Sequence, residues 1–155
     1  FNLDMLRWSK VIICTDADED GYQIRALLLT LFYRLLPTLI KVGRIYIAES
    51  PLFQIDTKND TFFAYDEKER QEIVKKLEND NLKYTIQRSK GLGENTPEMM
   101  WETTMNPATR RLIRVCEADA AETAKMLDIL LGDNLEERKE YISKNGYKYM
   151  TEVDV

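Results

Sequence analysis

Residues 11–36 read VIICTDADEDGYQIRALLLTLFYRLL, which places a strand, an acidic loop and a helix in immediate succession. Residues 10–15, KVIICT, form a short run rich in β-branched and apolar residues, which predicts a strand buried on both faces. From Ile24 onward apolar residues recur at helical spacing and cover nearly the whole circumference of the helix, which predicts a helix buried on most of its sides, against a sheet or another subunit. Because a buried strand needs neighbours on both edges, we expect part of its sheet to lie upstream of Phe1.

The loop between strand and helix carries Asp16, Asp18 and Asp20 in strict alternation, with Glu19 among them and Gly21 after them. Carboxylates this close repel one another at neutral pH unless a cation lies between them. Residues two apart on an extended segment project the same way, so Asp16 and Asp18 could share one or two ions. Mg²⁺ takes one or two carboxylates together with water and substrate phosphate. The loop lies at the carboxyl end of a strand, where open α/β sheets bind ligands. The sequence therefore predicts a magnesium site for phosphodiester chemistry.

Other interpretations of the acidic loop compete with the magnesium site. A solvated loop that caps the helix is the simplest, because acidic residues favour the positive end of a helix. An EF-hand is excluded, because its twelfth position, counted from Asp16, is Leu27, and a strand-like run precedes the loop. A phosphatase-like hydrolase that uses a D-x-D nucleophile fits the strand placement, but it needs a lysine and further acidic ligands whose positions the sequence does not fix. A non-catalytic subunit-interaction module is the alternative from another class of function.

The composition narrows the classes of function. The 155 residues carry 22 basic and 27 acidic side chains, a formal charge of −5, and no histidine. Non-specific nucleic-acid affinity comes from Lys and Arg, so a DNA contact must use local basic patches, a metal or a partner. Histidine-based catalysis and Cys/His zinc sites are excluded. No apolar run is long and clean enough to span a bilayer and no secretory signal is present, so we expect no membrane partner and a cytoplasmic location.

The two cysteines, Cys14 and Cys116, lie among apolar residues, which predicts buried free thiols rather than a disulfide framework. Elsewhere, strands and helices alternate, which indicates an α/β fold. Asp66 followed by Glu69 matches a capping box and predicts a helix start. Residues 44–47 and 51–55 are predicted as a strand pair or one bent strand, and residues 61–65 and 83–88 as further strands. Helices are predicted over residues 67–77, from residue 97, and over residues 108–144 with a break at residues 132–134.

Two basic regions and one apolar cluster are further candidates for contacts. The glycines of KGLGE, residues 90–94, let the backbone approach a partner closely, although a plain strand-to-helix turn is the alternative. Arg25 follows the acidic loop and would contact phosphate or pair with the aspartates. The arginines at 110, 111 and 114 are predicted on one side of a helix, where they would contact phosphate or pair with carboxylates. Residues 99–105, rich in Met and Trp, predict core packing or a subunit interface.

Several segments, in order, resemble the B subunit of bacterial type IIA DNA topoisomerases, gyrase and topoisomerase IV. They are TDADEDG, IRALLLTLFYR, GRIYIAESPLFQI, RSKGLGENTPEMMWETTMNPATRRLIRV and LLGDNLEERKEYI. The match spans nearly the whole chain. It implies an α/β fold in which residues 1–100 form the second half of a TOPRIM metal-binding domain, Rossmann-like with a parallel sheet and a strand–helix insertion. Residues 101–155 would form a mostly helical tail.

The resemblance also implies a role in reversible DNA cleavage that depends on Mg²⁺, for which Mn²⁺ or Ca²⁺ can substitute in binding. Asp16 would share the cleavage-site metal with a glutamate from an earlier strand, Asp16 and Asp18 would hold a second metal position, and Asp20 would lie in or just behind the coordination shell. The attacking tyrosine comes from the A subunit in this family, and an ATPase domain that binds ATP lies upstream in the same polypeptide as the TOPRIM domain. We therefore expect DNA, the A subunit and that ATPase domain as partners, and no activity from these 155 residues alone.

The sequence departs from the family at the loop, where many relatives read DVDGSHI or DVDGAHI. Glu19 adds a negative charge, and Tyr22 and Gln23 replace a small residue and a histidine, while the metal ligands are unaltered. These departures leave the subtype open among gyrase, topoisomerase IV and a divergent paralogue. The candidate contacts to DNA or to the A subunit are Arg25, Arg88, Lys90, Gly91, Gly93, Arg110, Arg111 and Arg114.

Overall fold

The computed structural model describes residues 2–89, 91–117 and 120–149. The chain divides into two compact units, Phe1–Cys116 and Glu117–Val155. The predicted boundary between residues 100 and 101 stays a prediction. The helices and strands, in chain order, are β1 (Val11–Ile13), α1 (Glu19–Leu35), α2 (Pro37–Lys41), β2 (Ile45–Ala48), β3 (Phe53–Thr57), β4 (Thr61–Ala64), α3 (Glu67–Asn79), β5 (Tyr84–Arg88), α4 (Pro97–Met100), β6 (Leu112–Arg114), α5 (Ala120–Leu131) and α6 (Leu135–Asn145).

The first sheet of the first unit has the strand order β1-β2-β6. β1 pairs with β2 in parallel, with Ile13 opposite Ile47, and β6 adds to the other edge of β2 in antiparallel fashion. Its core is formed by Ile13, Ile45 and the α2 residues Leu39 and Ile40, all buried, with side chains of α1 packed against them. The α/β class is confirmed, although parallel pairing within the described residues is confined to β1 and β2.

The second sheet has the order β4-β3-β5 and is wholly antiparallel. Ile55 at its centre is fully buried, and Leu77 of α3 is buried as well. The predicted capping box is confirmed, because the Asp66 side chain accepts a hydrogen bond from the Glu69 N–H at 2.7 Å. Glu69 in turn accepts from the Tyr65 N–H at 3.0 Å, one residue earlier than the usual pattern.

The prediction of a helix from residue 108 is wrong at its start. Residues 112–114 form β6, whose Arg114 lies opposite Tyr46 in register. Strand formation depends strongly on the neighbouring strand, and the exposed edge of β2 supplies hydrogen-bond partners that outweigh the helical pattern of the arginines. From α5 onward the prediction holds, and the break at residues 132–134 separates α5 from α6.

The prediction that α1 is buried on most sides, against a sheet or another subunit, is met on one side by the first sheet, and the described residues do not cover the other side. Gly21 is its one buried residue, while Ile24, Leu27, Leu31 and Leu35 are exposed. The opposite side, which includes Leu28, Leu29 and Phe32, packs on the core of the first sheet. α1 is therefore an amphipathic helix whose second apolar side is uncovered in the part of the chain that the structure describes.

The described residues of the second unit form α5 and α6, joined by a short turn, and a 3₁₀ helix, Gly146–Tyr149, after α6. Asn134 caps α6, because its side chain accepts from the Glu137 N–H at 3.2 Å. Arg138 donates to the carbonyls of Ile129 and Gly132, which ties α6 to the end of α5. Across residues 2–89, 91–117 and 120–149, none of the helices combines the length and apolar content that a bilayer crossing requires.

Candidate metal centre

The acidic loop follows directly from the end of β1 and leads into α1. β1 ends at Ile13, Thr15 is buried, and Asp18 is the N-cap of α1 in extended backbone conformation. The Asp18 Oδ1 accepts a hydrogen bond from the Gly21 N–H at 2.7 Å. The interpretation of the loop as a helix cap is thus confirmed for Asp18, whose Oδ1 caps α1 as expected of a preferred N-cap residue.

The start of α1 presses closely on the backbone of the loop. A Cβ built on Gly21 would lie 2.1 Å from the carbonyl oxygen of Asp16 and 2.7 Å from its carbonyl carbon. No side chain fits at that distance, so this position requires glycine. The close approach fixes where Asp16 sits relative to the first turn of α1.

Asp16 is held from the other side by the loop that contains Gly91 and Gly93, the glycine loop. Its Oδ1 accepts a hydrogen bond from the Leu92 N–H at 2.7 Å, across 76 residues of sequence. An ideal Cβ built on Gly91 would lie 3.8 Å from the carboxylate atoms of Asp16, so the backbone of Gly91 runs beside this carboxylate. The structure therefore brings the acidic loop and the glycine loop together. A Cβ on Gly93 would meet nothing within 4 Å, and Lys90 lies outside the described residues.

The donor set of this centre matches part of a Mg²⁺ site. Asp16 and Asp18 each use one carboxylate oxygen with a backbone amide, and no further hydrogen bond or ion pair involves either side chain within the described residues. Asp20 is exposed in the first turn of α1. No group of three or more His, Cys, Asp or Glu residues converges among the described residues. The second carboxylate oxygens of Asp16 and Asp18 fit an ion that takes one or two carboxylates, water and phosphate. Asp16, Asp18 and Asp20 together do not enclose an ion.

Arg25 lies beside the loop without an ion pair to the aspartates in the described part of the chain. Its Nη2 donates to the Thr15 hydroxyl at 3.3 Å, and its guanidinium lies 5.2 Å from the centre of the Tyr22 ring. The Arg25 Nε is buried and has no hydrogen-bond partner among the described residues. Of the two roles predicted for Arg25, the ion pair with the aspartates is therefore absent from these residues.

Cys14 lies half-buried between β1 and the acidic loop. Burial raises the pKa of its thiol, while the neighbouring Ser50 hydroxyl and the Arg25 charge oppose that rise. Cys116 is exposed, so the prediction of a buried thiol is wrong there. Both thiols are free, as the sequence predicts.

We expect the raised pKa of Cys14 to appear in its reaction with iodoacetamide. In a Cys116→Ser variant, the pH midpoint of alkylation at Cys14 should lie above the ordinary value of 9.0 while the chain is folded. The thiolate is the reactive form, so burial moves the reaction to higher pH. Unfolding in urea should restore the ordinary midpoint. The same midpoint in folded and unfolded protein would contradict this expectation.

The predicted arginine cluster is not a helical face. Arg111 forms an ion pair with Glu69 at 2.5 Å and lies 3.9 Å from the centre of the Tyr65 ring. Arg110 donates to the Met105 carbonyl at 3.3 Å. The third arginine of the cluster, Arg114, lies in β6 beside Gly43. Arg88, which is not part of the cluster, is the last residue of β5.

The apolar cluster of residues 99–105 is divided between interior and surface. Met99 is buried, whereas Trp101 and Met105 are more than half exposed, at 56% and 55%. Sequence reasoning missed the Leu92 amide altogether. The glycines on either side of it indicated a close backbone approach, but no residue type identifies which backbone amide meets which carboxylate.

Comparison with known families matches two parts of the chain. Residues 1–50 match the Toprim domain model, and residues 81–143 match the model described as DNA gyrase B subunit, carboxyl terminus. The acidic loop lies within the first match, and the glycine loop lies within the second. The two loops that meet at Asp16 thus lie in segments that match two different family models.

Relatives similar to the whole chain carry the name of the B subunit of DNA gyrase. The protein of Thermotoga maritima is 46% identical over 155 residues, and that of Spiroplasma citri is also 46% identical, in each case over 100% of this chain and 24% of the relative. The protein of Synechocystis sp. is 44% identical over 156 residues, covering 100% of this chain and 14% of the relative. The chain thus spans about a quarter or less of the length of these relatives. The chain belongs to the family of DNA gyrase B subunits, within which it joins a Toprim segment to the carboxyl-terminal segment.

Proposed function

We propose that this chain contributes Mg²⁺ ligands to the DNA cleavage and religation site of a type IIA topoisomerase. The observation that supports it is the pair of aspartates at the carboxyl end of β1, each with one oxygen held by a backbone amide and one left over. The Toprim match over residues 1–50 includes both aspartates.

In this proposal Asp16 and Asp18 hold the cation, and Asp20 lies at or just behind them. The bound ion would neutralise charge on the scissile phosphate. The chain itself contributes positioning: the Gly21 amide holds Asp18, and the Leu92 amide holds Asp16, before any ion arrives. Such preorganised ligands need little rearrangement at the moment of reaction. Mn²⁺ or Ca²⁺ would substitute for Mg²⁺ in binding.

The partners proposed for the chain follow from the same family. DNA is the substrate, the A subunit supplies the nucleophilic tyrosine, and an upstream ATPase domain binds ATP, all in the cytoplasm. We propose Arg25, Arg88, Lys90, Gly91, Gly93, Arg110 and Arg114 as contacts to DNA or to the A subunit. Arg111 is a member of the same set, although Glu69 already balances its charge. The division into a Toprim part over residues 1–100 and a helical tail over residues 101–155 is proposed with it.

Removing one carboxylate charge should weaken cation binding by the full 155-residue chain. We expect Asp16→Asn to lower the affinity for Mn²⁺ by roughly 10-fold or more, since even groups behind the ligands contribute that much. Asp18→Asn should weaken binding too. Asn is an equally good N-cap, so this variant keeps the cap of α1 and removes only the charge. Calorimetric titration with Mn²⁺ measures both.

The matched control is Asp133→Asn, which makes the same change of charge at an exposed position between α5 and α6. Equal Mn²⁺ affinity in the wild type, Asp16→Asn and Asp133→Asn would reject the proposal in favour of an interaction module with a structural acidic loop. Metal-dependent turnover of a small phosphomonoester by the wild type, lost in Asp16→Asn, would instead favour the phosphatase-like hydrolase.

A further inference from the structure

The Leu92 N–H is the one hydrogen-bond donor that reaches the Asp16 carboxylate within the described residues. We propose that this backbone amide is a positioning group for the cation site: it holds Oδ1 of Asp16 and so presents Oδ2 to the ion. The inference rests on the proposed function, because it concerns the same aspartate. It adds a contribution from the glycine loop that acts through Asp16 and needs no contact with the ion.

The contact has the geometry of a strong hydrogen bond. The Leu92 nitrogen lies 2.7 Å from Oδ1, within the short range typical of an amide donating to a charged carboxylate. Because the donor is a backbone group, its direction is set by the fold of the loop and not by a side-chain rotamer. The backbone of Gly91 runs beside the same carboxylate, since a Cβ built on Gly91 would lie 3.8 Å from its atoms.

The loop that carries this amide is itself held in place by several hydrogen bonds. The Ser89 N–H donates to the Leu52 carbonyl at 2.9 Å, which anchors the loop to the second sheet. The Ser89 hydroxyl donates to the Asn95 side chain at 3.2 Å, and the Glu94 N–H donates to the Gly91 carbonyl at 3.1 Å. These contacts hold the amide in position in the absence of an ion.

Groups that orient a metal ligand matter almost as much as the ligand itself. Hydrogen-bond partners behind a ligand fix its orientation, and losing one typically weakens metal binding by about 10- to 100-fold. Without the Leu92 amide, the Asp16 side chain would regain rotational freedom that binding must remove again. The second sheet, through Ser89 and the glycine loop, thus contributes to the cation site of the first sheet.

Leu92→Pro removes this donor with little other change. Leu92 is the first residue of a short 3₁₀ turn, Leu92–Glu94, where proline is tolerated. Gly91 before it has φ −123° and ψ 151°, the conformation that a residue preceding proline favours. The Leu92 carbonyl, which accepts from the Asn95 N–H, is kept. Leu92→Ala is the matched variant, because it truncates the same side chain and retains the N–H.

We expect Leu92→Pro to bind Mn²⁺ roughly 10-fold more weakly than Leu92→Ala in calorimetric titration of the full chain. Amide hydrogen exchange provides a second measurement that needs no metal. The Leu92 N–H should be protected in the wild type and should exchange faster in Asp16→Ala, since that variant removes its acceptor. Far-ultraviolet circular dichroism of both Leu92 variants checks that the fold is retained.

The outcomes separate this inference from the function on which it rests. Equal Mn²⁺ affinity in Leu92→Pro and Leu92→Ala, with Asp16-dependent binding intact, would overturn the inference and leave the proposed function standing. Unchanged exchange of the Leu92 N–H in Asp16→Ala would also overturn it alone. Mn²⁺ binding that is equally weak in the wild type and Asp16→Asn would overturn the proposed function, and the positioning role would fall with it.

Discussion

Replacing Gly21 with alanine is expected to lower the free energy of unfolding by about 3 kcal/mol, the upper end of the usual cost of overpacking. The added Cβ would lie 2.1 Å from the Asp16 carbonyl oxygen and 2.7 Å from the carbonyl carbon. Both are backbone atoms, so no side-chain rotation relieves the overlap. Either the first turn of α1 or the acidic loop must shift. Urea unfolding followed by circular dichroism measures the loss.

Gly93→Ala is the control for this prediction. A Cβ on Gly93 would meet nothing within 4 Å, so the same chemical change should alter the free energy of unfolding by less than about 0.5 kcal/mol. Gly21→Ala should also weaken Mn²⁺ binding, because the displaced backbone belongs to Asp16. If the two variants unfold at the same urea concentration, the close approach of α1 to the acidic loop is not as described.

The second large effect is expected at the centre of the first sheet. Ile45→Ala should lower the free energy of unfolding by about 3 kcal/mol or more, within the range for buried isoleucine truncations. Ile45 is 0% exposed and packs in the cluster with Ile13, Leu39 and Ile40. The cavity left behind would lie between β2 and α2, where the backbone has little freedom to close it. Urea unfolding measures this change as well.

The matched variant is Ile113→Ala, on the neighbouring strand β6. Ile113 is 47% exposed, so its truncation removes much less buried surface and should cost under about 1 kcal/mol. Comparable losses from Ile45→Ala and Ile113→Ala would contradict the position of the core. A loss at Ile45 alone would agree with a core between the first sheet and the helices α1 and α2.

The parts of the fold that the sequence predicts correctly depend on local signals. The apolar strand before the aspartates, the capping box at Asp66 and the break after α5 are each encoded within a few neighbouring residues. The predicted glycine loop also proves to lie at the candidate site, with Gly91 against Asp16. These features were predictable because caps, turns and strand ends are short-range patterns.

The errors concern contacts between residues far apart in sequence. β6 forms because β2 offers it an edge, and the run of arginines around residue 111 gives no local indication of this. The exposed apolar side of α1 cannot be told from a buried one by its spacing of leucines. The hydrogen bond between Leu92 and Asp16 joins a backbone amide to a side chain 76 positions away, and amides are alike in every residue except proline.

The hydrogen bonds from two backbone amides to Asp16 and Asp18 affect how a bound cation would be coordinated. Oδ1 of Asp16 and Oδ1 of Asp18 each accept one backbone N–H, which orients each carboxylate and leaves its Oδ2 without a hydrogen bond among the described residues. Large ions such as Ca²⁺ often bind both oxygens of one carboxylate, whereas the smaller, octahedral Mg²⁺ commonly binds one oxygen of each carboxylate. At the proposed site, the loop thus presents one oxygen of each aspartate free of hydrogen bonds among the described residues, an arrangement that suits one-oxygen coordination of a cation.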